Sequence, residues 1–155
     1  TRRCFPEGGP PSGLDGSGAI TLRDLVRESL RQRPDRIVVG EVRGPEALDM
    51  VLALNAGCSG FATLHANSAR DALEKLVGYC MLAGENVAEA FVRRAVAAVA
   101  DLVVFLRRTP AGRRVEEIVS VPSQLEAGVF TTELLWAPGR EAAHPAAACR
   151  AEGTR

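Results

Sequence analysis

The sequence predicts an α/β domain that is followed by an antiparallel β meander. Residues 37–39 form an uninterrupted apolar run, which is typical of a strand covered on both faces. Apolar stripes with helical spacing precede and follow that run. After Asp101 the pattern changes to short apolar segments separated by polar turns, which indicates strands joined by hairpins.

The composition is that of one globular domain. The chain has 155 residues, of which 46% are hydrophobic and 25% charged, and this is enough to form a core. The formal net charge is +0, so no overall field attracts nucleic acid, and no nucleic-acid partner is predicted. The four cysteines lack metal-ligand spacing and are predicted to be reduced cytosolic thiols. Because the chain opens on Thr1, we expect it to be a piece of a longer protein.

The first elements follow from local signals. Residues 1–18 are rich in Gly, Pro and Ser and are predicted to be a flexible loop or linker. The first helix begins after Thr21, since Asp24 stands three positions later and can complete a capping box. Pro34 ends this helix, because the residue before a proline is disfavoured in helical conformation.

The next strand–helix–strand unit surrounds residues 37–39. Pro45 is predicted to occupy the first position of a second helix, where its missing N–H costs nothing. Gly57 closes that helix. Residues 61–64 are predicted to form the second strand.

Two further helices are predicted before the meander. Ser68 caps the third helix, and Gly84 ends it. Asn86 is predicted to cap a fourth helix that continues to about Val99. The apolar stripe of the third helix consists of Leu73, Leu76, Val77 and Cys80.

The carboxyl-terminal part is predicted to be β structure and then a tail. Residues 102–106, 115–121 and 129–136 are predicted to be three strands of an antiparallel meander. Residues 137–155 are rich in Ala, Pro and Arg without an apolar period, which indicates a disordered tail. The folded domain is therefore expected to span residues 19–136.

Polar side chains follow the two predicted strands, at the point where each strand ends. Glu41 and Arg43 come after the first strand. Thr63, His65 and Asn67 lie at the end of the second. In open α/β sheets, ligands bind in the crevice beyond the carboxyl ends of the strands, so an acid and an imidazole at two such ends indicate chemistry on a charged ligand.

Each residue of the first group also has a purely structural interpretation. Glu41 can polarise a water molecule or help to hold a cation, or it can be a surface residue that pairs with Arg43. Arg43 can clamp a phosphate with its planar fork, or it can form a salt bridge with Glu41 or Glu46. Taken alone, the salt bridge is the preferred interpretation of Arg43.

The second group is open to the same two interpretations. His65 can donate to a phosphate or sense it, although a lone histidine more often has a structural role. Asn67 and Ser68 are better explained as the cap of the following helix. A metal site from His65, His144 and the cysteines lacks spacing support, and a nucleophile pair of Cys58 with His65 lacks a third group.

In order along the chain, these motifs resemble those of the secretion ATPases of type II and type IV systems and type IV pili. Residues 33–43 (RPDRIVVGEVR) are similar to the family's Walker B region, R-P-D-x-I-x-x-G-E-x-R. Residues 63–68 (TLHANS) resemble its His box. Residues 18–26 (GAITLRDLV) are similar to a run of the Tad/Flp pilus branch, and the match covers roughly residues 15–136.

The resemblance implies part of a RecA-like P-loop NTPase core that uses ATP and Mg²⁺. By the same resemblance, the full-length protein forms homo-hexamers, lies in the cytoplasm at the inner face of the cell membrane, and works with inner-membrane platform proteins. Glu41 would polarise the attacking water and help to organise Mg²⁺, and His65 would read the γ-phosphate. Arg43, Thr63 and Asn67 would bind or sense the nucleotide.

One departure from the family limits this expectation. The phosphate-binding loop G-x-x-x-x-G-K-[ST] does not occur in these 155 residues, and Lys75, the only lysine, lies inside the third helix. We therefore expect the carboxyl-terminal half of a motor domain, which is inactive alone. The alternative is a non-catalytic interaction module, or a degenerate fragment, that associates with an intact paralogue.

Overall fold

The structure of the protein is a computed structural model that describes residues 20–141. The loop predicted at 1–18 and residues 142–155 of the predicted tail lie outside the described residues. In chain order the elements are α1 (Leu22–Arg31), β1 (Arg36–Val39), α2 (Glu46–Asn55), β2 (Ser59–Ala62), α3 (Ala69–Met81), α4 (Glu89–Val99), β3 (Leu102–Thr109), β4 (Gly112–Ser120), β5 (Glu133–Ala137) and β6 (Arg140–Glu141).

The described strands form two sheets. β1 and β2 pair in parallel, from Arg36 opposite Ser59 to Val39 opposite Ala62. The other four strands form an antiparallel sheet in the order β3-β4-β5-β6. The predicted α/β unit followed by an antiparallel meander is therefore confirmed, with β6 as an additional short strand.

Two of the predicted helix caps are confirmed. The Thr21 hydroxyl accepts a hydrogen bond from the Asp24 N–H at 3.1 Å, and the Asp24 carboxylate accepts one from the Thr21 N–H at 3.0 Å. The hydrogen bonds that the Thr21 hydroxyl and the Thr21 N–H donate to the Asp24 carboxylate lower the pKa of that carboxyl group. The Ser68 hydroxyl accepts a hydrogen bond from the Asp71 N–H at 3.0 Å and caps α3. Both caps satisfy N–H groups that the first helical turn leaves unpaired.

Two predicted helix starts differ from the structure. Pro45 is the N-cap of α2 and not its first residue. Asn86 does not cap α4, which begins at Glu89 after Ala88, without a side-chain cap. A turn closed by the Val87 N–H and the Gly84 carbonyl, 3.3 Å apart, takes up the residues around Asn86.

The first strand is covered on one face, although its sequence predicted two. Ile37 and Val39 are buried, whereas the side chain of Val38 between them is 58% exposed. Phe61, the partner of Val38 on β2, is 64% exposed. Among the described residues, the helices pack against only one side of this parallel pair, which leaves an apolar face uncovered.

Several strand boundaries also differ from the prediction: β3 continues to Thr109 and does not end at 106, and β4 begins at Gly112 and not at 115. β2 was predicted at 61–64 and lies two residues earlier, because its pairing with β1 begins at Ser59 and Gly60, which are not apolar strand residues. The two strands approach closely there, since a Cβ atom on Gly60 would lie 2.3 Å from the Ile37 carbonyl oxygen. β5 is shorter than predicted, since Val129 belongs to a turn closed with Glu126. Ala137 and β6 are strand residues and extend the β structure past the predicted end at residue 136.

The core lies among α2, α3 and α4 and reaches the antiparallel sheet. Val51, Val92, Val96 and Cys80 are fully buried there, and Phe130 closes the core from the segment before β5. Burial raises the pKa of the Cys80 thiol to about 12.

Within residues 20–141, no helix combines the length and the apolar character that are needed to cross a bilayer.

Candidate functional site

The loops after β1 and β2 are fastened to each other beyond the last paired strand residues. The Thr63 N–H donates to the Val39 carbonyl at 3.3 Å, and the Val42 N–H donates to the Thr63 carbonyl at 2.8 Å. The Thr63 hydroxyl donates to the Gly40 carbonyl. These bonds extend the parallel pairing by several residues and fix the two loops in register.

Glu41 and His65 meet at this edge. The Nε2 atom of His65 lies 3.2 Å from Oε1 of Glu41, although 24 positions separate the two residues in the chain. The Glu41 side chain is 30% exposed, and the His65 side chain is 92% exposed. The sequence predicted that these two strand ends belong to one site, and the structure brings them together.

Arg43 lies at the edge of the same site. Its Nη1 atom is 4.0 Å from Oε2 of Glu41, and its side chain is 79% exposed. Glu41 therefore lies between a guanidinium and an imidazole. An exposed ion pair at this distance contributes little to stability, so the arginine is free to turn towards an anionic ligand.

Glu46 is a site residue whose role the sequence did not reveal. It is the one charged residue that is buried in the described part of the chain, at 7% exposure. Its Oε1 atom accepts hydrogen bonds from the N–H groups of Arg43 and Gly44, both at 2.9 Å. A carboxylate in the first turn of α2 also complements the positive end of the helix dipole. The loop that carries Arg43 is thereby fixed to α2.

Gly44 leaves the space that the Glu46 carboxylate uses in this arrangement. A Cβ atom at position 44 would lie 2.9 Å from Oε2 of Glu46, which is closer than real Cβ contacts. The sequence pattern that could have indicated this contact is an acid two residues after a glycine at a helix start. From the sequence, Glu46 was predicted only as a possible salt-bridge partner of the Arg43 side chain.

Asn67 and Ser68 make the capping contacts that the structural interpretation predicted. The N–H and Nδ2 of Asn67 both donate to Oδ2 of Asp71, at 2.8 Å and 3.1 Å. Hydrogen bonding from the Asn67 backbone, followed by that from Lys75, lowers the pKa of Asp71. The Asn67 amide is therefore committed to its own helix start.

Lys75 lies in the middle of α3, as predicted, and it also reaches the site loop. Its Nζ atom donates to the backbone carbonyl of His65 at 3.2 Å and lies 3.4 Å from Oδ2 of Asp71. The sequence gave no indication of this contact, because it depends on the path of the loop between β2 and α3.

The described residues give no support to the two other chemical possibilities. Cys58 precedes β2 whereas His65 follows it, and the Cys58 thiol faces the carbonyls of Pro34 and Ser59 at 3.6 Å. Within residues 20–141 there is no group of three or more His, Cys, Asp or Glu side chains that could hold a metal ion. His144 lies outside the described residues.

The chain is similar to proteins of bacterial secretion and conjugation. A family model described as type II/IV secretion system protein matches residues 7–125. A Mycobacterium tuberculosis protein named for conjugal transfer is 38% identical over 138 residues, which are 88% of this chain and 38% of that protein. The conjugal transfer protein TrbB of Rhizobium radiobacter is 36% identical over 109 residues, or 70% of this chain and 32% of TrbB.

Solved structures give the same result for the fold. The VirB11 ATPase of the Brucella suis type IV secretion system superposes with a TM-score of 0.61 at 28% identity, covering 65% of this chain and 32% of VirB11. The Legionella pneumophila ATPase DotB superposes with a TM-score of 0.52 at 23% identity, covering 70% of this chain and 30% of DotB. The predicted fold class, part of a RecA-like ATPase core with an antiparallel meander, is confirmed. The chain spans about a third of the length of the relatives that it matches.

Proposed function

The chain belongs to the type II/IV secretion system protein family, and from this premise we propose that it is the carboxyl-terminal half of a motor domain that hydrolyses ATP. The motor couples this hydrolysis to pilus assembly or protein export. The observation that carries the proposal is the 3.2 Å approach of His65 to Glu41 at the ends of two parallel strands. That edge is where nucleotides bind in sheets of this kind.

The proposed role of Glu41 is to orient the water that attacks the γ-phosphate and to accept its proton. A carboxylate is suited to this role when it is partly shielded and held by a neighbour, and Glu41 is 30% exposed and held by His65. The carboxylate of Glu46 is already used by two backbone N–H groups. Glu41 is thus the acid at this edge that remains available for substrate.

The proposed role of His65 is to exchange its contact with Glu41 for one with a phosphate oxygen. Its imidazole is almost entirely exposed, so it can turn without displacing packed side chains. Arg43 is proposed to stabilise phosphate charge with its exposed guanidinium. Thr63 and Asn67 are proposed to support nucleotide binding or sensing by fixing the two loops, because their side chains already bind Gly40 and Asp71.

The residues at this edge would fit a Mg²⁺ ion that keeps most of its coordinated waters. The ion prefers oxygen ligands in an octahedral arrangement and usually retains several waters beside one or two carboxylates and the substrate phosphates. Glu41 offers one such carboxylate. Glu41 would help to hold the ion, and a bound Mg²⁺ would supply positive charge that offsets the negative charge developing during transfer.

The 155-residue chain alone is proposed to be inactive. Phosphoryl transfer depends on positioning and charge stabilisation, and these residues contain no G-x-x-x-x-G-K-[ST] loop to grip the phosphates. The measurement is phosphate release from the purified chain with Mg²⁺ and ATP. Turnover that disappears in Glu41→Gln would contradict the proposed inactivity.

The catalytic role of Glu41 is tested in the longer reading frame, if the DNA upstream encodes a phosphate-binding loop. Glu41→Gln should lower kcat by about 10²- to 10⁴-fold, the usual contribution of a general base. Glu133→Gln, which changes an exposed acid of β5, is the matched control and should leave kcat unchanged. Equal losses in both variants would refute the assignment of Glu41.

The assembly follows from the same proposal. The full-length protein is proposed to be a homo-hexamer in the cytoplasm, peripheral to the membrane and bound to inner-membrane platform proteins. The run at residues 18–26 favours the Tad/Flp branch. Native mass measurement of the longer protein with and without ATP tests the hexamer.

A second candidate function is a non-catalytic module or degenerate fragment that associates with an intact paralogue. The uncovered apolar face of β1 and β2, with Val38 at 58% and Phe61 at 64% exposure, favours association with another polypeptide. Co-purification with a full-length paralogue, lost in Phe61→Ser, would support this candidate. A monomer that ignores the paralogue would argue against it.

A further inference from the structure

We infer that Lys75 and Asp71 of α3 are positioning residues that hold the loop after β2, so that the imidazole of His65 faces Glu41. This inference rests on the proposed role of the Glu41–His65 pair. It adds two residues to the site that no sequence motif indicated.

The orientation of His65 needs an explanation, because packing does not provide one. Its side chain is 92% exposed, and its one polar contact in the described part of the chain is the 3.2 Å approach to Glu41. An exposed side chain normally samples several rotamers. A restraint on the backbone of the loop would keep the imidazole within reach of Glu41 while its rotamer changes.

Lys75 acts on that backbone directly. Its Nζ atom donates to the His65 carbonyl at 3.2 Å. A hydrogen bond from an ammonium to a carbonyl is charge-assisted and stronger than one between neutral groups. It ties the residue that carries the imidazole to the second turn of α3.

Asp71 holds both Lys75 and the next part of the loop. Its Oδ2 atom lies 3.4 Å from Nζ of Lys75 and accepts hydrogen bonds from the N–H and the side-chain amide of Asn67. The same carboxylate thus restrains the loop at Asn67 and orients the ammonium that restrains it at His65. Because the pKa of Asp71 is lowered, the carboxylate stays charged at neutral pH.

An ordinary surface ion pair would not explain this geometry. Asp and Lys four residues apart often pair on a helix and stabilise it only slightly. Such a pair needs no partner outside the helix, whereas this one makes three hydrogen bonds to the loop at His65 and Asn67. The contacts with the loop are what distinguish positioning from helix stabilisation.

The test uses NMR of the imidazole in the 155-residue chain, which has two histidines, so that His65→Ala identifies the resonance of His65. Glu41→Gln should shift that resonance, because it changes the group 3.2 Å away. In Lys75→Met, where the loop is released, the shift caused by Glu41→Gln should fall to less than half. Lys75→Arg should restore it, since arginine keeps the charge and the donors.

The matched control is Arg70→Met, which removes an exposed cation of the same helix that makes no hydrogen bond to the loop in the described part of the chain, and it should leave the shift unchanged. Asp71→Asn provides a second variant and should expose the Asn67 amide to faster hydrogen exchange. An undiminished shift in Lys75→Met, with unchanged Asn67 exchange in Asp71→Asn, would overturn the inference. None of these readouts uses ATP turnover, so the proposed function can fail while the positioning role stands.

Discussion

The parallel pair β1–β2 and the antiparallel sheet β3–β6 obtain their order in different ways. Each strand of the parallel pair has four residues, and its central side chains, Val38 and Phe61, are mostly exposed. β3 and β4 have eight and nine residues and are joined by a tight turn, in which the Thr109 hydroxyl donates to the Gly112 carbonyl at 2.8 Å. The hairpin satisfies its hydrogen bonds locally, whereas the parallel pair depends on the helices around it.

All candidate functional residues follow the strands of the parallel pair β1–β2, which is the sheet that depends on the helices. Glu41 and His65 are held by loop contacts and by α3, and not by long strands. The antiparallel sheet contacts α3 at the end of the helix nearest the site. Glu117 of β4 accepts a hydrogen bond from the Ala69 N–H at the start of α3, at 2.8 Å. The comparison teaches that the helical layer between the sheets sets the geometry of the site.

The largest expected effect tests whether that helical layer stays closed. In chains that retain one cysteine, Cys80 at pH 8 should react with a thiol reagent about a thousandfold more slowly than an exposed thiol, because its pKa is about 12 and the ordinary value is 9.0. Cys58, which is half-buried directly before β2, is the comparison. Similar rates for both cysteines would mean that the layer opens readily.

The same thiol makes stability depend on pH in a defined direction. The folded state holds the Cys80 proton more tightly than the unfolded state does, so its contribution to stability is complete below about pH 9. It is lost as the pH rises from 9 towards 12. Denaturant unfolding at pH 8 and pH 11 should show this loss, and Cys80→Ala should show less of it.

The next effect compares the helical layer with the outer face of the hairpin. Leu73→Ala on α3, where the side chain is 2% exposed, should lower the free energy of unfolding by about 3 kcal/mol. Leu102→Ala on β3, where the side chain is 53% exposed, should lower it by less than about 0.5 kcal/mol. Equal losses in urea titrations would show that the outer face of β3 is covered in solution.

The smallest expected effect concerns the end of the hairpin. Arg107 pairs with Arg114 and Arg108 with Arg113, so like charges stand opposite each other. Arg113→Glu should raise the free energy of unfolding by about 0.5 kcal/mol, because it places opposite charges across the strands. Arg94→Glu on α4 makes the same change of charge as a control. If stability fell in Arg113→Glu alone, the arginines would have a stabilising partner.

Local signals predicted most of the elements, and non-local contacts account for what was missed. Thr21 and Ser68 were predicted as caps because a cap involves residues three positions apart. β2 was misplaced because its pairing starts at Ser59, where the sequence shows no apolar run. Asn86 was wrongly predicted as a cap because an adjacent turn removes it from the helix start.

The site was predictable to the same degree. Glu41 and His65 could be placed together from the rule about strand ends, and the motif order supported it. The contacts of Glu46 and Lys75 could not, since they depend on how the two loops travel between elements. The catalytic role of Glu41 stays a prediction that the turnover experiments test, and the roles of His65, Arg43, Thr63 and Asn67 stay predictions.

The contact between Gly44 and Glu46 has a consequence for how this family diverges. A Cβ atom at position 44 would displace the Glu46 carboxylate from the place where it accepts the hydrogen bonds of the loop. The two positions should therefore change together over evolutionary time, with glycine kept wherever the acid is kept and with freedom at both once the acid is lost. If an alignment of relatives showed the acid beside a bulky residue at position 44, the loop could be held to the helix in a different conformation.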